Sequence, residues 1–166
     1  LAESYNAIPI HRPKNLALDS TPEYICWQHA IREVQSTYGD FDVFLSLPPT
    51  APLRRTADVV KALSALTDNV DTVVTIKPSH RSPWFNMVTL ASDGNLKLVS
   101  ESFPIQRRQD SPTCFDLTTV AYVSRPDFIL NARGIWSGIV TGIKIPEEYA
   151  LDIDTPYDYK LATLLS

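Results

Sequence analysis

The sequence predicts one α/β domain over residues 1–166, because short apolar runs alternate with stretches of helical period. The clearest unit is DVFLSL (42–47), a helix over 56–66 and then TVVTI (72–76), which implies parallel strands joined by a right-handed crossover. An antiparallel hairpin follows, since apolar and polar residues alternate in MVTLASDGNLKLVS (87–100) on both sides of an Asp-Gly turn. We therefore expect a mixed, mostly parallel sheet with a hairpin inserted in it.

The boundaries of the remaining elements follow from proline and glycine residues and from Ser/Thr helix caps. A Ser/Thr cap with Pro22 and Glu23 in the first turn predicts a helix that stops near Gly39. The polar and basic stretch 103–115 is a loop or arm, which with the hairpin makes an insertion over 87–115. Later elements are a strand over 116–124, a short helix from Arg125 to Leu130, a strand over 141–146 and a helix from Pro156 to about Leu165.

Composition excludes several classes of protein. With 44% hydrophobic and 20% charged residues, the chain has an ordinary globular mixture and is not disordered. A net charge of -4 argues against a nucleic-acid surface or an anionic membrane as a general partner. No apolar run approaches the ~20 residues of a membrane span. Cys26 and Cys114 predict reduced thiols in a cytoplasm, and a first residue Leu1 with Met87 as the one methionine predicts a fragment or a processed product.

The segment LDIDTPYD (151–158) carries the strongest chemical signal. Asp152 and Asp154 are two residues apart at a predicted strand end, about 7 Å at Cα, so both carboxylates could contact one hard cation. The alternative is structural: Asp154 caps the terminal helix ahead of Thr155-Pro156, and Asp152 is a solvated edge residue. Spacing by itself leaves both interpretations open.

Arginine pairs form a second group of candidates. Arg54 and Arg55 follow a predicted strand, where α/β proteins bind ligands, although the pattern favours a proline-rich turn with solvated arginines. Arg107 and Arg108 could clamp a carboxylate or phosphate, or could lie solvated in a polar loop. The sequence contains no Ser/His/Asp or Cys/His arrangement that its order alone reveals.

Six collinear segments resemble the acylneuraminate cytidylyltransferases, also called CMP-sialic acid synthetases. They are HRPKNLALDSTP (11–22), FLSLPPTAPLRR (44–55), TVVTIKPSHRSPWFNMV (72–88), RRQDSP (107–112), TTVAYV (118–123) and LDIDTPYDYKLA (151–162). The resemblance implies a Rossmann-like, three-layer nucleotide-diphospho-sugar transferase fold and an arm for dimerisation. It also implies that CMP passes from CTP to the anomeric hydroxyl of an acidic sugar, with Mg²⁺ as cofactor, in a cytoplasmic homodimer that serves surface glycans such as lipopolysaccharide.

The resemblance also assigns roles to residues. Asp152 and Asp154 match the family's metal-binding DID and would hold the Mg²⁺ that bridges the triphosphate and the sugar oxygen. Arg12 would face the nucleotide, and Thr21 lies where backbone contacts read the cytosine edge. Arg108 would reach the sugar from the dimerisation arm.

Two aromatic residues match sugar-pocket positions. Tyr122 and Trp136 would each place a ring against the sugar, with a core position as the alternative for Trp136.

Three departures from the family pattern bear on activity. The glycine-containing LARxGSKxxxxKN loop is absent, so we expect this polypeptide alone to be inactive. Pro48 replaces a glutamine that contacts the sugar, and Asp116 and Thr118 stand where Arg and Asn are common. The change at Pro48 and the changes at Asp116 and Thr118 predict a legionaminic-, pseudaminic- or Kdo-like acceptor. The alternative function is a non-catalytic remnant of the fold that dimerises or binds a nucleotide.

Overall fold

The computed structural model describes residues 3–102 and 105–166. The strands are β1 Phe44–Ser46, β2 Thr72–Pro78, β3 Val88–Leu90, β4 Leu96–Leu98, β5 Phe115–Ser124 and β6 Val140–Lys144. The helices are α1 Glu23–Tyr38, α2 Thr56–Ser64, α3 Pro126–Asn131 and α4 Pro156–Leu165. Every predicted helix and strand is present, and the first two residues of the predicted arm lie outside the described ranges.

Four strands form a mixed sheet in the order β1-β5-β2-β6. β2 and β6 pair in parallel from Thr72 and Val140 onward, whereas β5 runs antiparallel to both β1 and β2. Three strands therefore point the same way and β5 is reversed. The prediction of a buried parallel strand over 42–47 is wrong in two details. First, β1 is half-buried. Second, β5 separates β1 from β2, so the one strand that pairs with β1 in the described sheet is antiparallel to it.

Helices cover both faces of the sheet, which makes three layers. On one face, Ala62 of α2 packs against Val73 and Val123. On the other, Trp27 and Ile31 of α1 pack with Ile129 of α3, and the partly buried Phe44 and Tyr122 lie against them. Neighbouring strand residues such as Tyr122 and Val123 serve opposite faces because side chains alternate along a strand.

A third apolar cluster lies beneath the loops that follow β1 and β6. Its buried members are Ala51, Val120, Ile145 and Ala150, with Tyr149 packed against them. These residues come from three separate segments, so the cluster fixes the loops relative to β5.

A large irregularity interrupts the pairing of β2 with β5. Val74 pairs with Tyr122 but Thr75 pairs with Thr118, so residues 119–121 have no register partner on β2. The hydroxyl of the fully buried Thr75 accepts the N–H of Ala121 at 3.1 Å and the hydroxyl of Thr118 at 2.7 Å. The threonine hydroxyl thus replaces missing ladder hydrogen bonds, as a buried bulge requires.

The hairpin β3–β4 stands apart from the main sheet and turns at Gly94, whose φ of +84° suits glycine. Its apolar side chains are strongly exposed, Leu90 at 72% and Leu96 at 63%. Within the described ranges, no helix has the length and apolar character that a membrane crossing needs.

Candidate functional site

The DID segment is a loop at the carboxyl edge of the sheet. Residues 151–154 follow β6 and the 3₁₀ turn Glu147–Tyr149, and they lead directly into α4. The N–H of Ile153 donates to the carbonyl of Thr50 at 2.9 Å, so the segment lies against the proline-rich loop that follows β1. Open α/β sheets bind ligands at this edge.

Asp152 presents a carboxylate oxygen without a protein donor. The residue is half-buried, and its Oδ1 is buried with no hydrogen-bond partner among the described residues, so it is not the solvated residue of the structural alternative. Buried polar atoms are paired in almost all cases, and carboxylate oxygens are the preferred ligands of hard cations. The residue types and the unpartnered oxygen fit a divalent cation such as Mg²⁺.

Asp154 does not cap the terminal helix, so that prediction is wrong. The N-cap is Thr155, whose Oγ1 accepts the N–H of Asp158 at 3.3 Å and whose own N–H donates to Asp158 Oδ2 at 2.8 Å. This capping box forms at Thr155 because that residue has the extended backbone an N-cap needs. The side chain of Asp154 is exposed and makes no interaction with the described part of the chain.

The described chain supplies no cluster of three or more His, Cys, Asp or Glu side chains that could hold a metal. Two protein carboxylates completed by phosphate oxygens and water would be the usual arrangement for Mg²⁺. A cation at Asp152 and Asp154 would therefore need further ligands from outside the described part of the chain.

The arginines of the proline-rich loop are fixed by the protein and are not free in solvent. Arg54 Nη2 donates to the carbonyls of Pro48 and Thr119, the latter at 3.3 Å, and burial lowers the pKa of Arg54. Arg55 makes a bidentate pair with the fully buried Asp58, at 2.8 and 3.0 Å, and hydrogen bonding to Asp58 is the main cause of its raised pKa. The interpretation of this loop as a turn with solvated arginines is wrong.

Tyr122 lies between α1 and the acidic residues of the site. Its ring is 5.2 Å from that of Trp27, centroid to centroid, and Trp27 Nε1 donates to Glu23 at 3.2 Å. Burial first, and then the negative charges of Glu23 and Asp152, raise the pKa of the Tyr122 hydroxyl. The start of α1, β5 and the DID segment therefore share one neighbourhood.

The predicted nucleotide residues flank the start of α1. Thr21 is half-buried two residues before Glu23, and its N–H donates to Leu18 O; the helix N-cap is Pro22, which provides no side-chain hydrogen bond. Arg12 is exposed and its Nη1 contacts Cys26 Sγ at 3.3 Å. Thr21 thus lies at the end of α1 that approaches Asp152, whereas Arg12 lies about one turn along the helix.

Sequence comparison places the chain among known proteins. It is 31% identical over 157 residues to post-translational flagellin modification protein B of Campylobacter coli, covering 93% of this chain and 66% of that protein. It is 24% identical to the N-acylneuraminate cytidylyltransferase of Escherichia coli O18:K1:H7, over 98% of this chain and 38% of that protein. The chain belongs to the acylneuraminate cytidylyltransferase family.

Two further comparisons concern a substrate-specific relative and the fold. Over 94 residues, 56% of this chain and 39% of the relative, the sequence is 30% identical to CMP-N,N'-diacetyllegionaminic acid synthase of Campylobacter jejuni. The structure of CMP:2-keto-3-deoxy-manno-octonic acid synthetase complexed with CTP superposes with a TM-score of 0.63 at 13% identity, covering 99% of this chain and 74% of that one. No protein-family model matches. The chain spans about two thirds of the flagellin modification protein and less than half of the other two relatives.

Buried polar atoms without partners mark the site in this cytidylyltransferase-family chain. Five such side-chain atoms occur among the described residues, and four lie on α1, the loop after β1, β5 and the DID segment: Tyr24 Oη, Arg54 Nε, Thr119 Oγ1 and Asp152 Oδ1. Contacts link α1 to β5, β5 to the loop, and the loop to the DID segment. Arg54 donates to no carboxylate within the described ranges and is held by main-chain carbonyls alone. Such a concentration indicates a place where water or a polar ligand completes the hydrogen bonding. Tyr24 lies outside the six segments that resemble the family, and Thr119 lies within TTVAYV, but no pattern assigns a role to either residue.

Arg108 lies in a neighbouring groove of about 430 Å³ at the end of β2. Its Nη2 donates to His80 O at 3.2 Å, and the His80 ring contacts both carboxylate oxygens of Glu147 at 3.1 Å. Contact with His80 first, and then with Lys77, lowers the pKa of Glu147. Glu147 begins the turn that leads to the DID segment, so this contact links the groove to the acidic site.

Trp136 lies elsewhere. It precedes β6 at the end where Val140 pairs with Thr72, the amino end of the parallel strand pair, and it is 68% exposed. The core position considered for Trp136 is therefore wrong. Its sugar-pocket role stays a prediction.

Proposed function

We propose that this protein transfers CMP from CTP to an acidic sugar. The unpartnered, buried Oδ1 of Asp152, beside Asp154 at the carboxyl edge of the sheet, is the observation that carries the proposal. Support comes from the names of the related enzymes, a CMP-legionaminic acid synthase and acylneuraminate cytidylyltransferases.

In the proposed reaction the anomeric hydroxyl oxygen forms a bond to the α-phosphorus of CTP. The bond from that phosphorus to the bridging oxygen breaks, pyrophosphate leaves, and the hydroxyl proton is released to solvent. Asp152 and Asp154 would hold Mg²⁺, which when bound offsets triphosphate charge and acidifies the attacking hydroxyl. The protein's own contribution is to fix the two carboxylates relative to the nucleotide.

The other predicted residues would position the two substrates. We assign the cytosine edge to the backbone at Thr21, just before α1, and a charge contact with the nucleotide to Arg12, which contacts Cys26 about one turn into the helix. Tyr122 would offer the sugar the free part of its half-buried ring, and Arg108 an exposed guanidinium at the groove. Trp136 lies at the opposite edge of the sheet from the DID segment. It would therefore contact a sugar only if that sugar were bound at a site other than the one beside Asp152.

The acceptor we propose is a nonulosonic acid of the legionaminic, pseudaminic or Kdo type. Pro48 has no side-chain amide to offer a sugar hydroxyl. Thr118 is 4% exposed and its hydroxyl bonds to Thr75, so it supports the bulge and does not face an acceptor. The names of the two Campylobacter relatives, in flagellin modification and legionaminic acid activation, support the same choice.

A cytoplasmic homodimer is the assembly we propose. Both cysteines are free, as in a reducing compartment. The exposed apolar hairpin β3–β4 would supply contact area for a second copy.

The test is CTP-dependent pyrophosphate release by the natural protein, purified at full length. The acceptor panel contains N-acetylneuraminate, legionaminate, pseudaminate and Kdo, and CMP-sugar formation is checked by ³¹P NMR. We expect turnover with one of the last three sugars. A strong preference for N-acetylneuraminate would contradict the acceptor assignment, and absence of turnover together with absence of CTP binding would contradict the function.

A further inference from the structure

The segment that carries the two aspartates is attached to the protein on both sides. Before it, the ring of Tyr149 lies under the guanidinium of Arg55, with Cζ 3.8 Å from the ring centroid. After Asp152, the N–H of Ile153 donates to the carbonyl of Thr50 at 2.9 Å. Both attachments are to the single loop 48–55, so this loop determines where Asp152 lies.

Arg55 is held in one orientation by a buried partner. Its guanidinium is held bidentately by Asp58, which is fully buried in the first turn of α2. A planar guanidinium fixed in this way offers one flat face to an aromatic ring, which a flexible lysine does not. The chain of contacts therefore runs from the buried Asp58 through Arg55 to Tyr149.

Tyr149 connects the Arg55 guanidinium to the segment that carries the two aspartates. It ends the 3₁₀ turn Glu147–Tyr149, and the next residue, Ala150, is buried in the cluster beneath the loops. Asp152 follows Tyr149 by three residues, so a displaced ring would shift the backbone that carries the carboxylate. Neither Arg55 nor Tyr149 need touch a substrate to have this effect.

We propose that Arg55 and Tyr149 are positioning residues that hold Asp152 and Asp154 in the geometry needed for a divalent cation. This inference rests on the proposed function, since it concerns the cation site assigned there. Residues that orient metal ligands commonly change metal affinity 10- to 100-fold when they are replaced. We expect the lower end of that range, about tenfold, because Thr50 still holds the segment at Ile153.

A stabilising role is the competing explanation, because Tyr149 also packs against the buried cluster. The experiment therefore measures Mn²⁺ binding by electron paramagnetic resonance, with CTP present, and urea unfolding of the same samples. Full-length natural protein is compared with Tyr149→Leu, Tyr149→Phe and Arg55→Lys. Tyr159→Leu is the matched control, since Tyr159 is 64% exposed on α4.

We expect Tyr149→Leu and Arg55→Lys to raise the Mn²⁺ concentration for half-occupancy about tenfold, and Tyr149→Phe, which keeps the ring, to restore it to within about twofold. Tyr159→Leu should match the natural protein. If Tyr149→Leu lowers only the urea midpoint and leaves Mn²⁺ binding unchanged, the positioning role is wrong.

Asp152→Asn separates this inference from the proposed function. If Asp152→Asn weakens Mn²⁺ binding while Tyr149→Leu does not, the positioning role fails and the metal site stands. If Asp152→Asn has no effect either, the metal site itself fails and the inference fails with it.

Discussion

Replacing Asp152 with Asn should abolish most activity without destabilising the protein. Its Oδ1 is buried with no donor among the described residues, so in the folded protein this carboxylate lacks compensation for its burial. The amide is nearly the same size and carries no charge. The substitution therefore removes the burial of a charge while leaving the surrounding packing intact.

The expected size follows from the energetics of unsatisfied buried groups. An unpaired buried group costs about 1–3 kcal/mol and more when it is charged, and the amide keeps an unpaired polar atom in place but removes the charge, so Asp152→Asn should leave the free energy of unfolding unchanged or raise it slightly. Thr75→Val provides the contrast, because it removes a buried hydroxyl that accepts from Ala121 and Thr118. That substitution leaves the Ala121 N–H unpaired and should lower the free energy of unfolding by about 1–3 kcal/mol.

Urea unfolding followed by tryptophan fluorescence, with Trp27 in the core, measures both variants. In the same Asp152→Asn preparation, pyrophosphate release should fall at least ~100-fold, equivalent to ~2.7 kcal/mol of lost transition-state stabilisation. The reasoning is refuted if Asp152→Asn destabilises the protein as much as Thr75→Val does. It is also refuted if the variant retains full activity.

Three more outcomes are expected. Asp158→Ala should lower the urea midpoint at pH 7, because hydrogen bonds from Thr155 hold the pKa of Asp158 below its ordinary value of 3.8. This stabilisation is present above that ordinary value and is lost as the pH falls below it through the pKa of the folded carboxylate, so the difference in midpoint should shrink over that acid range. A difference that stays constant through that range would contradict this. Leu90→Glu should shift sedimentation from dimer to monomer, and an unchanged sedimentation profile would exclude the hairpin as the interface. Trp136→Ala should raise the acceptor KM with little change in stability, since Trp136 is 68% exposed; an unchanged KM removes it from the site.

The boundaries of the elements could be predicted from local sequence. Pro126 and Pro156 each begin a helix, and Gly94 turns the hairpin, because these residues act through their own backbone preferences. The pairing of strands could not be read in this way. The reversed β5 lies between β1 and β2 in space although it follows both in the chain.

The sequence singles out the aspartate pair as a candidate, but it does not reveal the contacts around the pair. Asp154 and Thr155 are both good N-cap residues, and only the backbone conformation shows that Thr155 has that role. Similarly, nothing local to Arg55 identifies Asp58 and Tyr149 together as its partners. The unpartnered oxygen of Asp152 depends on the burial of that atom, which is a property of the folded chain.

The most direct measurement of the central claim is anomalous diffraction from crystals of the natural protein grown with CTP and Mn²⁺. The proposal predicts a manganese peak within about 2.0–2.3 Å of carboxylate oxygens of Asp152 and Asp154, with triphosphate oxygens on its other side. A peak held by the triphosphate alone, away from both aspartates, would contradict it.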